Sequence, residues 1–286
     1  MTVAVITGAS SGIGLELSLE LSKHYDVVLA TMRNPDEADK RLTSQQNIKV
    51  LDLDVTKKSS IEKLLALVKE HYDGKIDLLV NNAGIGIAGS VITIDEEVAK
   101  EVFEVNVWGV YRMCQMAFDY LKNGTIVMVP STAGIRGLPA SDVYCMSKFA
   151  VQGMAESLRY TAALDGIKVI CVNPGPVDTP FINRWKGQDG GREDHSGEHA
   201  RKLTMKIRER LEQRLKSEEA ESSGECAVAI TQTILEVKDK DPRKDVIPLV
   251  NGTSKRARHV INEILKDPSA SQGEGHKALW RWSLGD

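Results

Sequence analysis

The sequence predicts an α/β fold: a single doubly wound parallel sheet with helices on both faces and a charged helical lid insertion. Three features of the 286 residues lead there. Short β-branched apolar runs alternate with amphipathic stretches up to about residue 180. A glycine-rich turn separates the first run from the first amphipathic stretch. Beyond Lys186 the composition changes to charge. Runs that are apolar nearly throughout suit strands covered on both faces. Strand–helix alternation implies parallel pairing through right-handed crossovers.

In chain order the strand runs are VAVIT, DVVLAT, IKVLDLDV, IDLLVNNAG, GTIVMVPS and IKVICVNPG, which makes at least six strands. Between them Ile13, Leu17 and Leu21, then Ile61, Leu64, Leu65 and Val68, recur at helical spacing. From Lys186 to Glu225 roughly half the residues are charged. Leu203, Ile207, Leu211 and Leu215 form a narrow apolar stripe in that segment. It reads either as a solvated surface helix or as a lid over the carboxyl ends of the strands. ECAVAITQTILEV then reads as a helix, DVIPLV as a short strand and RHVINEIL as a further helix. The expectation is one domain over 1–286, with the lid at about 181–225 and a carboxyl-terminal extension at about 252–286.

A formal net charge of −3 points to neither nucleic acid nor an anionic membrane. Cys114, Cys145, Cys171 and Cys226 are widely spaced, with no CxxC and no metal-like cluster, so a reduced cytoplasmic chain without a metal is expected. MTVAVITG reads as a strand and not as a signal peptide. No apolar run approaches the ~20 residues of a membrane span. The two tryptophans of HKALWRWSLG leave weak contact with a membrane surface as an alternative to packing on their own domain.

TGASSGIG (Thr7 to Gly14) follows the first strand and opens a helix. Glycines at 8, 12 and 14 let a backbone turn tightly against a pyrophosphate, and the helix amino terminus offers free N–H groups. The second strand ends VVLATMRN. It has no carboxylate for a ribose 2′-OH, and Arg33 suits a 2′-phosphate, so NADP(H) is expected over NAD(H). In VYCMSKFAVQGM, Tyr144 and Lys148 stand one helical turn apart. The ammonium is expected to lower the phenol pKa and fit it for proton exchange with a carbonyl or alcohol. Ser131, at the end of a strand, could hydrogen-bond the reacting oxygen. Asn106, on an apolar helix face with Val102, Val110, Met113 and Ala117, must find polar partners. It reads either as a structural bridge or as a holder of water beside Lys148.

TGASSGIG, NNAG (Asn81 to Gly84), Asn106, Ser131, YCMSK and PGPVDT (Pro174 to Thr179) stand in one order and spacing that resembles the short-chain dehydrogenase/reductase family, over nearly the whole chain. The resemblance implies a Rossmann-type fold. It implies that Tyr144 is the general acid/base, that Lys148 lowers its pKa and holds the nicotinamide ribose, that Ser131 positions substrate, and that Asn106 anchors a water in a proton relay. It places the cofactor on Gly8, Ser10, Ser11, Gly12, Ile13, Gly14, Arg33, Asp54, Val55, Asn82, Ala83, Gly84, Tyr144, Lys148, Pro174, Gly175, Val177 and Thr179. Leu138, Phe181 and Trp185, with Ser131 and Tyr144, are the expected substrate contacts.

Within the family, PSTAGIRGLPASDVYCMSKFAVQGMAESL is most similar to the branch of 17β-hydroxysteroid dehydrogenase type 1 and photoreceptor-type retinol dehydrogenases. Hydride exchange with an apolar hydroxysteroid- or retinoid-like carbonyl or alcohol is therefore expected. The charged, aromatic-poor lid keeps open a reductase of quinones, polyketide-type or other secondary-metabolite ketones. A non-catalytic NADP(H)-binding sensor is the remote alternative. The helices carrying Asn106 and Tyr144 form the usual family contact, so a homodimer or homotetramer is expected.

Overall fold

The computed structural model describes residues 1–181, 198–215, 220–245 and 252–266. Its frame is a six-stranded parallel sheet: β1 (Val3–Thr7), β2 (Val27–Met32), β3 (Ile48–Asp52), β4 (Leu78–Asn81), β5 (Thr125–Met128) and β6 (Lys168–Cys171). The strand order is β3-β2-β1-β4-β5-β6, and each described pairing is parallel. The order reverses between β1 and β4. That switch point opens a crevice beyond the carboxyl ends of the strands.

Side chains alternate along each strand, so one strand feeds two cores. Val3, Val5, Val27 and Leu29 join a cluster with α3 (Lys58–His71), α5 (Val110–Ala117) and α6 (Asp142–Leu164). Their neighbours Ala4, Ile6, Val28 and Ala30 join a second cluster with α1 (Gly12–Leu21), α2 (Lys40–Thr43) and α8 (Ser223–Val237). The expected apolar face of α3, at Ile61, Leu64, Leu65 and Val68, is buried. α8 begins in a capping box, with Ser222 and Glu225 exchanging side-chain and backbone bonds.

Several boundaries differ from the expected ones. β5 stops at Met128, so Ser131 stands three residues beyond the strand; Pro130 has no N–H with which to continue the ladder. The helix expected around Asn106 is three pieces: α4 (Glu96–Phe103), a π-helical turn (Glu104–Gly109) and α5. The charged segment contains α7 (Glu198–Leu215), where Ile207 is buried and His199 exposed. A two-stranded parallel pair, β7 (Val177–Asp178) with β8 (Glu221–Ser222), joins the PGPVDT segment to the start of α8. α9 (Lys255–Lys266) carries the expected RHVINEIL helix. Trp185, His195, most of the DVIPLV strand and the tryptophan-bearing tail lie outside the described residues.

Candidate active site

The crevice is a cavity of about 760 Å³, within the range of small-molecule sites. At one end lies the turn between β1 and α1. Gly8 has φ +71°, and a Cβ on it would lie 2.7 Å from the Ala83 backbone. A Cβ on Gly14 would strike the Gly8 carbonyl oxygen. Both positions therefore require glycine, one for its dihedral and one for the approach of helix to loop.

Asn82 locks this turn to the end of β4. Its Nδ2 donates to the carbonyls of Thr7 (3.0 Å) and Gly8 (3.1 Å). The Thr7 hydroxyl accepts from the backbone N–H groups of Asn82 and Ala83, both at 3.0 Å. Arg33, exposed at the end of β2, lines the same end of the cavity with Asp54, Val55, Asn34 and Glu37. The Asp54 carboxylate folds onto its own turn, accepting from the Thr56 N–H (3.0 Å) and hydroxyl (2.7 Å) and facing Lys57 at 3.4 Å.

The other end of the cavity holds Ser131, Tyr144 and Lys148, with Leu138 and Phe181 on its wall. The Phe181 ring centroid is 5.9 Å from that of Tyr144. Pro174, Gly175, Val177 and Thr179 close the side between the two ends. Ser131 donates to the Pro174 carbonyl (3.3 Å) and accepts from the Ala133 N–H (3.1 Å). Asn173, fully buried, donates to the Ser131 carbonyl and to Gln152 Oε1, both at 3.1 Å, and so holds the serine backbone from behind.

Lys148 is 6% exposed, donates to the Val129 carbonyl at 3.4 Å, and lies 5.5 Å from the centre of the Tyr144 ring. Burial pushes the Tyr144 phenol well above its ordinary value, with a hydrogen bond to Ser131 acting the other way. Burial also lowers the Lys148 ammonium to about 8. At pH 7 the lysine therefore stays mostly charged, and in a buried site its attraction for a phenolate is stronger than it would be in water.

Asn106 is buried with its side chain committed to protein. Its Oδ1 accepts from the Ile85 N–H (2.8 Å), and its Nδ2 donates to the Ile85 carbonyl (2.8 Å) and the Ser147 hydroxyl (3.0 Å). Of its two expected readings, these bonds form the structural bridge. A Cβ on Gly84 would lie 3.2 Å from Asn106 Oδ1 and 3.4 Å from Lys148 Nζ, so the three groups are packed together. The π-helical turn places Asn106 there, as such turns often do at functional sites.

Sequence reasoning missed Thr7, Asn173, Gln152 and the π turn. It also missed Ala140, a non-glycine residue at φ +50° between Ser131 and Tyr144. That left-handed conformation costs roughly 1–2 kcal/mol, and nothing in the identity of an alanine signals it. The four cysteines are free and buried. Among the described residues no cluster could hold a metal, and no helix is long and apolar enough to cross a membrane.

A glycine turn at a parallel-sheet switch point, joined by one cavity to a serine, tyrosine and lysine, defines a class. Residues 2–189 match the short chain dehydrogenase family, and the chain belongs to it. It is similar to estradiol 17-beta-dehydrogenase 1 of Rattus norvegicus, 34% identical over 227 residues, which cover 75% of this chain and 65% of that one. Retinol dehydrogenase 8 of Homo sapiens is 36% identical over 196 residues, covering 64% and 61%. The branch resemblance read from the sequence is thus borne out, although the chain spans less than two thirds of either relative's length. A short-chain dehydrogenase from Streptomyces avermitilis superposes with a TM-score of 0.75 at 24% identity, covering 97% of this chain and 98% of that one, which supports the fold.

Proposed function

We propose that the chain is an NADP(H)-dependent oxidoreductase. It exchanges hydride with the carbonyl or secondary alcohol carbon of an apolar substrate of hydroxysteroid or retinoid type. The observation that carries this reading is the single cavity with a nucleotide cradle and Arg33 at one end and Ser131, Tyr144 and Lys148 at the other. The names of the two relatives support the substrate class.

The residues fit the cofactor. The Gly8–Gly14 turn and the amino terminus of α1, with Ser10, Ser11 and Ile13, line the cavity and would hold a pyrophosphate. Asp54, Val55, Asn82, Ala83 and Gly84 line the adenosine side, and Pro174, Gly175, Val177 and Thr179 the nicotinamide side. When bound, NADPH supplies the hydride. Ser131 donates a hydrogen bond to the carbonyl oxygen, and Tyr144 Oη gives that oxygen its proton. Burial keeps the phenol protonated, which is the form that carbonyl reduction needs. Lys148 adds positive charge beside the phenol and a donor for the ribose. Asn106 acts by fixing Ile85 and Gly84 against Lys148.

Leu138, Phe181 and Tyr144 supply apolar wall to the substrate end, with Trp185 as a further expected contact. Trp108, Tyr111, Phe149 and Tyr160 stay exposed on the π turn, α5 and α6, which supports a homodimer or homotetramer built through those elements.

NADPH consumption against ketosteroids, retinoid aldehydes, quinones and small aryl ketones tests the reading. Turnover confined to the apolar polycyclic or polyene members would uphold it, and turnover of quinones or small ketones alone would shift the substrate class. For the cofactor, Arg33→Asp should weaken NADPH binding by about 10- to 100-fold, the range of a lost charge-assisted bond, and leave NADH binding nearly unchanged. Unchanged NADPH affinity in a fluorescence titration would remove Arg33 from the site.

A further inference from the structure

Between Ser131 and Tyr144 the chain passes through Leu138, Pro139, Ala140 and Ser141, the stretch that carries one wall of the substrate end. Its shape is held from two sides. On the helix side, the Leu138 N–H donates to Cys145 Sγ at 3.3 Å, and the Cys145 N–H donates to the Ser141 carbonyl at 2.8 Å. On the other side stands the loop after β4. The Gly89 N–H donates to the Ala140 carbonyl at 2.7 Å, and the Asp142 N–H donates to the Gly89 carbonyl at 3.3 Å. Gly89 and Ser141 form a parallel bridge.

One side chain completes this junction. Asp142 Oδ2 accepts from the Ser90 hydroxyl at 3.0 Å and from the Val91 N–H at 2.9 Å. Asp142 is the first residue of α6, two before Tyr144. Its carboxylate therefore joins the loop after β4 to the helix that carries the phenol. The segment between them contains the left-handed Ala140. A non-glycine residue keeps that conformation only where its surroundings over-determine it, and the bonds to Gly89, Ser90 and Val91 do so.

We propose that Asp142 is a positioning residue for substrate selection: by tying Ser90 and Val91 to the start of α6 it fixes Leu138 relative to Tyr144, and so sets the width of the substrate end. The inference rests on the proposed carbonyl chemistry. The reacting groups have other anchors: Ser131 on Pro174, Lys148 on Val129, and the Tyr144 phenol on Ser131 with its ring against Phe181. Loosening the Asp142 junction is accordingly expected to act on substrate fit more than on the chemical step.

The test compares steady-state kinetics of Asp142→Ala, Asp142→Asn and Ser90→Ala on the best carbonyl substrate, with NADPH affinity and thermal melting measured alongside. Asp142→Ala should raise KM about tenfold and change kcat much less, below the roughly 100-fold loss that a 1 Å misplacement of the reacting groups can cause. NADPH affinity should stay unchanged. Asp142→Asn keeps an acceptor oxygen at the same place and should restore most of the KM. Ser90→Ala, which leaves α6 intact, should shift KM in the same direction by less, and adding it to Asp142→Ala should change nothing further. A lower melting temperature with unchanged KM in Asp142→Ala, or a KM shift in Asp142→Asn equal to that of alanine, would overturn the proposal. If Asp142→Ala does not fold, an unchanged KM in Ser90→Ala overturns it alone. Failure of the underlying chemistry reads differently: the wild-type chain then reduces no carbonyl, or does so undiminished in Tyr144→Phe.

Discussion

Tyr144→Phe is expected to lower carbonyl reduction by about 100- to 10,000-fold, the contribution of a positioned general acid, while NADPH binds within about twofold of the unmodified chain, since a uniform-binding contact is not removed. The argument rests on what the substitution keeps. The ring stays, so the packing against Phe181 at 5.9 Å and the position of Lys148 5.5 Å from the ring centre are retained. The cavity keeps its walls and loses one hydroxyl. That hydroxyl is the group that burial holds in its protonated form, hydrogen-bonded to Ser131. Ser131 remains and can still polarise a carbonyl, but a serine hydroxyl is far too weak an acid to replace the phenol. Single-turnover absorbance separates the chemical step from binding, and fluorescence titration gives the affinity. Turnover within about tenfold of the original would assign the proton to another group, because that loss is smaller than a general acid contributes.

The sheet was legible because its physics is local and periodic. A β-branched run covered on both faces reads the same in any parallel sheet, and six such runs became β1 to β6. The nucleotide cradle was legible for a related reason. Gly8 and Gly14 stand where any side chain would collide, and a steric demand of that kind is written in residue identity. Tyr144, Lys148 and Ser131 were found by spacing and order, and the structure brings them into one cavity. Their electrostatics were not legible. Four residues of helix place a phenol and an ammonium together, but only burial in three dimensions decides which charge survives. The π turn left no trace, because one extra residue in a helical turn leaves the apolar face at Val102, Asn106 and Val110 intact. Asn173 and Gln152 were hidden likewise: each is an ordinary polar residue until the fold sets one behind Ser131 and the other behind that. Ala140 gave the least warning, since its strain is held by Gly89 and Asp142, which belong to other elements.

Lys148→Met is expected to abolish most turnover and yet make the protein more stable at pH 7. Burial lowers the ammonium from 10.5 to about 8. At about 1.4 kcal/mol for each pH unit, that is roughly 3 kcal/mol of unfavourable free energy for keeping the charged form inside. The sign follows from proton counts. Below about pH 8 the lysine is charged in both folded and unfolded chains, and the cost is fully present. Between about 8 and 10.5 the unfolded chain binds more protons than the folded one, so stability rises with pH across that window. Methionine carries no charge and has a similar length, and the bond it removes, to the Val129 carbonyl, is long at 3.4 Å. Urea unfolding at pH 7 should therefore favour Lys148→Met by about 2–3 kcal/mol, and the advantage should shrink as pH rises toward 10.5. Activity should run the opposite way. Carbonyl reduction by the unmodified chain should decline as pH rises through about 8, where Lys148 gives up the charge beside the phenol, while the fold grows more stable. Equal stability of the two chains at pH 7 would mean that Lys148 is solvated or paired in solution. A buried cation kept at a net cost to the fold is the mark of a group retained for chemistry, and opposite pH trends in stability and turnover would locate that cost at Lys148.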